Sequence, residues 1–177
     1  MEFKWNMDTM GLIGKKQCGK TTIIRDIIKN VPKDSIIVLD TNLEYKGFNR
    51  IIPEGYNNET LERFILHCRK FKNKLIIFED LDLYINSTNP PDELKNLFIN
   101  GSHQNLGVIF TAKRPLGTPK ILLTETTHLI LGNFVIPNDI NYLSGVVSDV
   151  NKIKNLKRFE FLCRNEDGSE EILKARR

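Results

Sequence analysis

A stretch near the start of the chain combines glycine, lysine and threonine at a spacing suited to binding phosphate. Residues 14–21 match G-x-x-x-x-G-K-[ST] at every fixed position. They are Gly14, Lys15, Lys16, Gln17, Cys18, Gly19, Lys20 and Thr21, with Thr22 next. The glycines let successive N–H groups point into one anion-sized hollow, at the positive end of the following helix. Lys20 would reach the β- and γ-phosphates of a nucleotide, and the Thr21 hydroxyl would coordinate Mg²⁺.

The neighbouring sequence decides between a phosphate loop and a chance match, because the pattern fixes only four positions. A short apolar strand, 11–14, precedes the loop, and an amphipathic helix, 21–29, follows it. This is the strand–loop–helix context in which the motif binds nucleotide. We therefore predict that residues 14–22 bind ATP together with Mg²⁺.

Cys18 lies inside the loop and has two interpretations. A thiol close to a helix N-terminus and to lysines can have a lowered pKa, which would make it redox-sensitive. The alternative, which we favour, is an incidental small side chain at a variable position of the motif.

Two adjacent carboxylates end the apolar run "LIIFED". A nucleotide hydrolase needs one carboxylate on the Mg²⁺ side and another to orient the attacking water. We assign Glu79 to the magnesium side and Asp80 to the water, and keep Asp82 as a third candidate. The alternative is that these acids only mark the end of a strand.

The rest of the chain alternates apolar runs with helix-period segments. Strands are predicted at 35–40, 74–80, 106–112 and 128–134, helices at 58–69 and 92–100, a short helix between 115 and 128, and a β-hairpin in the C-terminal segment. Continuously apolar strands separated by helices predict an α/β fold with a mostly parallel sheet flanked by helices. Ligands bind beyond the carboxyl ends of such strands. We expect one domain over residues 1–177.

Composition narrows the class of protein without identifying its partner. A net charge of +4 permits binding to a polyanion but does not require it, and the stretches 69–74 and 152–158 concentrate positive charge. Three widely spaced cysteines argue against a disulfide framework. The sequence has neither a signal-peptide pattern nor a bilayer-spanning run, so we expect a cytoplasmic protein that is not secreted.

Two further motifs resemble those of the HerA/FtsK superfamily of DNA-pumping ATPases. The fourth strand of that family ends near S/T-Q-R-P, and here a strand ends in "TAKRP", 111–115. The second strand of the family ends in aspartate with a Glu-Tyr pair shortly after, and "VLDTNLEY", 38–45, is similar. The resemblance covers nearly the whole chain and is strongest to the minimal members, the genome-packaging ATPases of icosahedral viruses with internal membranes.

The resemblance implies a RecA/FtsK-like P-loop NTPase fold closed by a C-terminal β-hairpin. It also implies a homo-oligomeric ring of five or six subunits, with ATP held at subunit boundaries and double-stranded DNA threaded through the centre. Capsid or virion membrane proteins would be further partners, and the protein would then be virion-associated. In this family, Lys113 and Arg114 fall where residues sense the γ-phosphate or complete the site.

The sequence departs from the family pattern in three respects. Lys113 replaces the usual glutamine, and the order Glu79-Asp80 reverses the usual Asp-Glu. Ser102, beside His103, stands where many members carry an arginine that reaches the neighbouring subunit's site. Either Arg114, Arg69 or Arg63 would substitute for that arginine, or hydrolysis would be slow. For Arg114, local pairing or helix capping is an equally good interpretation.

Two other functions remain open on the sequence alone. A small nucleotide kinase would need an arginine-bearing lid that closes on the acceptor, for which "STNPPDELKN" is the nearest candidate. A nucleotide-dependent assembly switch with little turnover would use ATP binding alone to drive ring formation or docking.

Overall fold

The alternation of apolar strands and helices builds one sheet with helices on both faces. The computed structural model describes residues 2–85 and 88–175. The strands in these ranges are β1 (Thr9–Ile13), β2 (Ile36–Leu39), β3 (Asn49–Ile51), β4 (Lys74–Phe78), β5 (Leu106–Ala112), β6 (His128–Leu131), β7 (Glu160–Arg164) and β8 (Glu170–Lys174). The helices are α1 (Lys20–Ile28), α2 (Asn58–Cys68), α3 (Asp92–Asn100), α4 (Lys120–Thr124), α5 (Pro137–Leu143) and α6 (Val150–Lys154).

The strands form a single sheet in the order β3-β2-β4-β5-β1-β6-β7-β8. Neighbours from β3 to β6 run parallel, while β7 and β8 are antiparallel. The last residue of β1, Ile13, lies opposite Ala112 of β5 and Leu131 of β6. The loop after β1 therefore leaves the sheet between two other carboxyl ends. This topology confirms the predicted mostly parallel α/β sheet with a C-terminal hairpin.

Side chains along the buried strands alternate between two apolar clusters, one on each face of the sheet. In β2, Ile37 and Leu39 join the cluster that contains buried residues of α2 to α6, whereas Ile36 and Val38 join the other. Helix α1 covers this second cluster with its buried isoleucines, and Phe3 and Trp5 of the N-terminal segment pack against it too. The two-sided core holds the strand ends in fixed register.

Apart from shifts of one or two residues at the ends of other elements, the fold differs from the sequence prediction in three unpredicted elements and in the ends of two strands. The short edge strand β3 and the helices α5 and α6 were not predicted. Strand β4 ends at Phe78 rather than at residue 80, because Asp80 adopts a left-handed conformation with φ of 50°. Strand β6 ends at Leu131 rather than at residue 134. Among the described residues, no helix is long and apolar enough to cross a membrane.

Candidate functional site

The loop between β1 and α1 is tightly curled and carries its lysine folded over it. Gly19 has φ of 106°, a conformation that glycine adopts without the cost paid by other residues. A Cβ on Gly14 would lie only 2.7 Å from Cys18 Sγ, so a larger residue there would have to displace that thiol. Lys20 Nζ donates hydrogen bonds to the carbonyl oxygens of Gly14 at 2.7 Å and Lys15 at 3.3 Å. Its charge therefore lies beside the anion-sized hollow that the motif predicts.

Glu79 and Asp80 leave β4 at the carboxyl edge of the sheet, where both side chains are almost fully buried. Burial raises the pKa of Glu79 to about 7, against hydrogen bonds from Asn42 that lower it. The positive φ of Asp80 places a non-glycine residue in a sparsely populated backbone region. Backbone strain of this kind accumulates at functional sites, where the surrounding structure enforces it.

Asp80 is tied to the end of β5, the next strand in the sheet. Its backbone N–H donates to Thr111 Oγ1 at 2.8 Å, and Lys113 Nζ lies 3.0 Å from Asp80 Oδ2. The backbone N–H of Lys113 donates to Asp82 Oδ2 at 3.1 Å. Burial also raises the pKa of Asp82. Residues predicted separately on two strands thus form one connected cluster.

Asn42 bridges the two carboxylates, although it was not among the predicted site residues. Its backbone N–H donates to Glu79 Oε2 at 2.7 Å, and its side-chain amide donates to Asp80 Oδ2 at 3.2 Å. The signal in the sequence was positional, because Asn42 lies just beyond the end of β2, and β2 is the neighbour of β4 in the sheet.

The loop that carries Asn42 is itself organised by Asp40. This fully buried carboxylate accepts hydrogen bonds from the backbone N–H groups of Glu44 at 2.9 Å and Tyr45 at 3.2 Å. Arg50 Nη1, on β3, lies 2.8 Å from the same carboxylate. The "DTNLEY" motif therefore shapes the loop, and through it the position of Asn42.

These elements enclose one cavity of about 370 Å³. Its lining residues are Lys16, Gln17, Lys20, Thr21, Asn42, Glu44, Glu79, Asp80, Thr111 and Lys113. Cations of the phosphate loop face carboxylates of the strand ends, which suits an anionic ligand accompanied by a cation.

The oxygen donors in this cavity fit Mg²⁺. Thr21 supplies a hydroxyl, and Glu79 and Asp80 supply carboxylates. In the described ranges, no three His, Cys, Asp or Glu side chains are placed to hold a metal ion on their own. Mg²⁺ commonly takes one or two protein carboxylates and completes its shell with phosphate oxygens and water, so this donor set fits it.

Several predicted site residues lie outside this cavity lining. Lys15 and Cys18 line a second cavity on the other side of the loop. Burial raises the pKa of Cys18, contrary to the lowered pKa that a redox-sensitive thiol would need. Thr22 is half-buried in α1. Arg114 forms an ion pair with the buried Asp139 of α5, with Nη2 3.2 Å from Oδ2, while its own side chain is 49% exposed.

The other candidates for an arginine acting between subunits are also placed. Ser102 and His103 are exposed in the turn before β5. This turn lies at the amino ends of the parallel strands, whereas Glu79 and Asp80 lie at their carboxyl ends. Arg69, directly after α2, forms an ion pair with Glu93 of α3. Arg63 lines a separate cavity between α2 and the segment after β3.

Comparison with known proteins bears on the fold. No protein-family model matches the chain, and no curated protein matches it in sequence. The genome packaging NTPase B204 from Sulfolobus turreted icosahedral virus 2, in complex with AMPPCP, matches with a TM-score of 0.83 at 20% identity, covering 97% of this chain and 99% of that one. B204 from Sulfolobus Turreted Icosahedral Virus, described as a DNA-packaging ATPase, matches with a TM-score of 0.81 at 21% identity, covering 96% and 98%.

This chain has the same fold as the B204 NTPases. The resemblance noted in the sequence is therefore confirmed at the level of the fold. The pCW3 conjugation coupling protein TcpA, with ATPgS, also matches, with a TM-score of 0.69 at 17% identity. That match covers 99% of this chain and 62% of TcpA, so the shared fold makes up only part of the longer TcpA chain.

Proposed function

We propose that this protein is an ATP-driven translocase of double-stranded DNA, and specifically a viral genome-packaging ATPase. It would hydrolyse ATP at the subunit boundaries of a homo-oligomeric ring, with capsid or virion membrane proteins as further partners. The observation that carries the proposal is the match over 97% of this chain and 99% of a genome packaging NTPase that binds an ATP analogue. The cavity beside the phosphate loop supplies side chains suited to that chemistry.

Each side chain in the cavity has a role in this proposal. Lys20 would exchange its contacts with loop carbonyls for the β- and γ-phosphate oxygens. Thr21 and Glu79 would hold Mg²⁺, which when bound neutralises charge on the phosphate oxygens. Asp80 would orient the attacking water. Lys113, already 3.0 Å from Asp80, would sense the γ-phosphate as a second anion within its reach.

The test is ATP hydrolysis by the purified chain with and without linear double-stranded DNA, at low and high salt. We expect DNA to stimulate hydrolysis and salt to remove that stimulation, because phosphate contacts dominate sequence-independent binding. Lys20→Ala and Glu79→Gln should abolish turnover, whereas Lys95→Ala, in α3 and outside the cavity lining, should retain it. Turnover and assembly that both ignore DNA would contradict the proposal.

A nucleotide-dependent assembly switch with little turnover is the second candidate, and the placement of the arginines favours it. Arg69 and Arg114 each form an intramolecular ion pair, and Ser102 occupies the position where the family carries its arginine. Ring formation with a non-hydrolysable ATP analogue, without measurable turnover on any DNA, would support the switch. Turnover that appears on assembly would support the motor.

The small-kinase alternative loses its candidate lid. Residues 92–100 form α3, whose Leu94, Leu97 and Phe98 are buried in the core cluster that contains residues of α2 to α6. Ser87, at the start of that candidate segment, lies outside the described residues. A kinase would transfer phosphate to a nucleoside monophosphate, which we expect this protein not to do.

A further inference from the structure

A second cavity lies on the far side of the phosphate loop from the carboxylates. Its volume is about 330 Å³, and it shares Lys16 and Gln17 with the first cavity. The opposite wall is the turn 157–160, which joins α6 to β7. Lysine and arginine side chains from both the loop and the turn line it, so it is strongly basic.

If the protein binds ATP, as the proposed function requires, the bound nucleotide is long enough to extend from the first cavity into the second. Such a molecule is a linear phosphate chain with a nucleoside at one end. If the γ-phosphate lies near Glu79 and Asp80, and residues 14–21 bind the middle of the chain, the nucleoside must extend past the opposite side of the loop. The second cavity lies there.

Phe159 gives this cavity a flat apolar wall. It has φ of 70°, in a turn closed by a hydrogen bond from Glu160 N–H to Lys157 O at 3.0 Å. Glycine is the usual residue in that conformation, so keeping a phenylalanine there has a conformational cost. A Cβ on Gly19 would lie 3.3 Å from the Phe159 ring, which shows that the ring rests against the phosphate loop itself. The Arg158 guanidinium lies 4.8 Å from the ring centroid.

Two hydrogen-bonding side chains in the cavity are already used to hold the turn. The amide nitrogen of Asn133 donates to three backbone carbonyls at the end of α6. Glu160 accepts a hydrogen bond from the Lys157 N–H at 3.0 Å, and its other carboxylate oxygen lies 3.3 Å from Lys174 Nζ. The Phe159 ring and the cations of the loop and the turn are the other groups that line this cavity.

We propose that the second cavity is the nucleoside subsite, in which the base stacks on Phe159 beside Arg158. Stacking tolerates every base, since each has a π face, and purines offer the larger one. The protein therefore accepts ATP and GTP with similar affinity. The competing occupant is the DNA backbone, which the same cations would attract.

The test is calorimetric binding of ATP, GTP and inorganic tripolyphosphate, each with Mg²⁺. In Phe159→Gly the ring is removed while glycine keeps the positive φ of the turn. We expect it to weaken ATP and GTP binding by roughly 5- to 150-fold and to leave tripolyphosphate binding unchanged. Arg158→Ala, at the exposed end of the stack, should weaken both nucleotides in the same direction. Phe71→Ala removes a partly exposed ring outside both cavities and should change none of the three affinities.

The outcomes separate this subsite from the proposed function. Tripolyphosphate binding with ATP no tighter, or ATP affinity unchanged in both Phe159→Gly and Arg158→Ala, would refute the subsite while leaving the phosphate site intact. Loss of affinity for linear DNA in those variants, with ATP affinity kept, would assign the cavity to DNA. A preference above about tenfold between ATP and GTP would overturn stacking as the basis of recognition. Binding of neither ATP nor tripolyphosphate by the unmodified protein would overturn the ATPase proposal itself.

Discussion

At the scale of single residues, Lys113 connects the acidic turn after β4 to the end of β5. Its side chain contacts Asp80 and its backbone N–H binds Asp82, so it compensates negative charge at the turn. The side chain is 41% exposed and lines the cavity, which leaves it able to turn towards an added anion. Lys113 therefore brings a full positive charge to a position where the HerA/FtsK superfamily usually has glutamine, whose amide is neutral.

We predict that Lys113→Ala lowers ATP turnover by about 100-fold, the typical loss when one preorganised electrostatic donor is removed from a reacting centre. Steady-state kinetics would measure it, beside Lys95→Ala as a control at a lysine that does not line the cavity. Lys113→Gln distinguishes a charge from a hydrogen-bond donor, because the amide can still donate. Unchanged turnover in Lys113→Ala would exclude Lys113 as a γ-phosphate sensor.

At the scale of elements, the edge strand β3 is fastened to the site through one ion pair. Arg50 of β3 contacts Asp40, whose side chain is fully buried and organises the loop that carries Asn42. Removing the arginine leaves a buried carboxylate with backbone donors only. Breaking a buried pair commonly costs about 3–5 kcal/mol, and the partial exposure of Arg50 reduces this.

Arg50→Ala should therefore lower the free energy of unfolding by about 2 kcal/mol. Urea denaturation measures it, with Arg69→Ala as the matched control. Because Arg69 and Glu93 are both about one-third exposed, that pair should contribute no more than about 1 kcal/mol. Equal losses in the two variants would show that burial of Asp40 does not matter to stability.

The N-terminal segment makes a close approach to β5 that a single methyl group would block. A Cβ on Gly107 would lie 2.0 Å from the Trp5 carbonyl oxygen, so backbone would have to move. We predict that Gly107→Ala costs roughly 1–3 kcal/mol of unfolding free energy. Trp5 is the only tryptophan, so its fluorescence should also report the displacement. Gly55→Ala, where the nearest atom would be 3.6 Å away, should leave both measurements unchanged.

The sequence predicted elements whose signal is local and missed those whose cause is long-range. Continuous apolar runs identified β2, β4 and β5, and the spacing of residues 14–21 identified the phosphate loop, because both depend on neighbouring residues. Strand β3 was missed because it is short and polar and depends on a contact with Asp40. Asn42 and Phe159 were also missed because their positions depend on contacts with residues distant in sequence. Asn42 binds the two carboxylates that follow β4, and the Phe159 ring lies against the phosphate loop.

At the scale of the whole molecule, the two basic stretches of the chain differ in what surrounds their charged side chains. In the stretch 152–158, Lys152 pairs with Glu170, and the cations at 157 and 158 line the second cavity. In the stretch 69–74, Lys70 and Lys72 are exposed in the turn between α2 and β4. This turn lies at the amino ends of the parallel strands, whereas the nucleotide cavities lie at their carboxyl ends. The turn can therefore contact DNA without competing with ATP.

The double substitution Lys70→Glu and Lys72→Glu should weaken binding to linear double-stranded DNA and flatten its salt dependence. Each lost phosphate contact removes about 0.9 from the slope of log affinity against log salt, so the slope should fall by about 2. Fluorescence anisotropy across a salt series measures it, with ATP affinity as an internal check that the nucleotide site is intact. Lys29→Glu with Lys33→Glu makes the same change in net charge between α1 and β2. Equal losses in the two double variants would mean that DNA responds to net charge rather than to the α2–β4 turn.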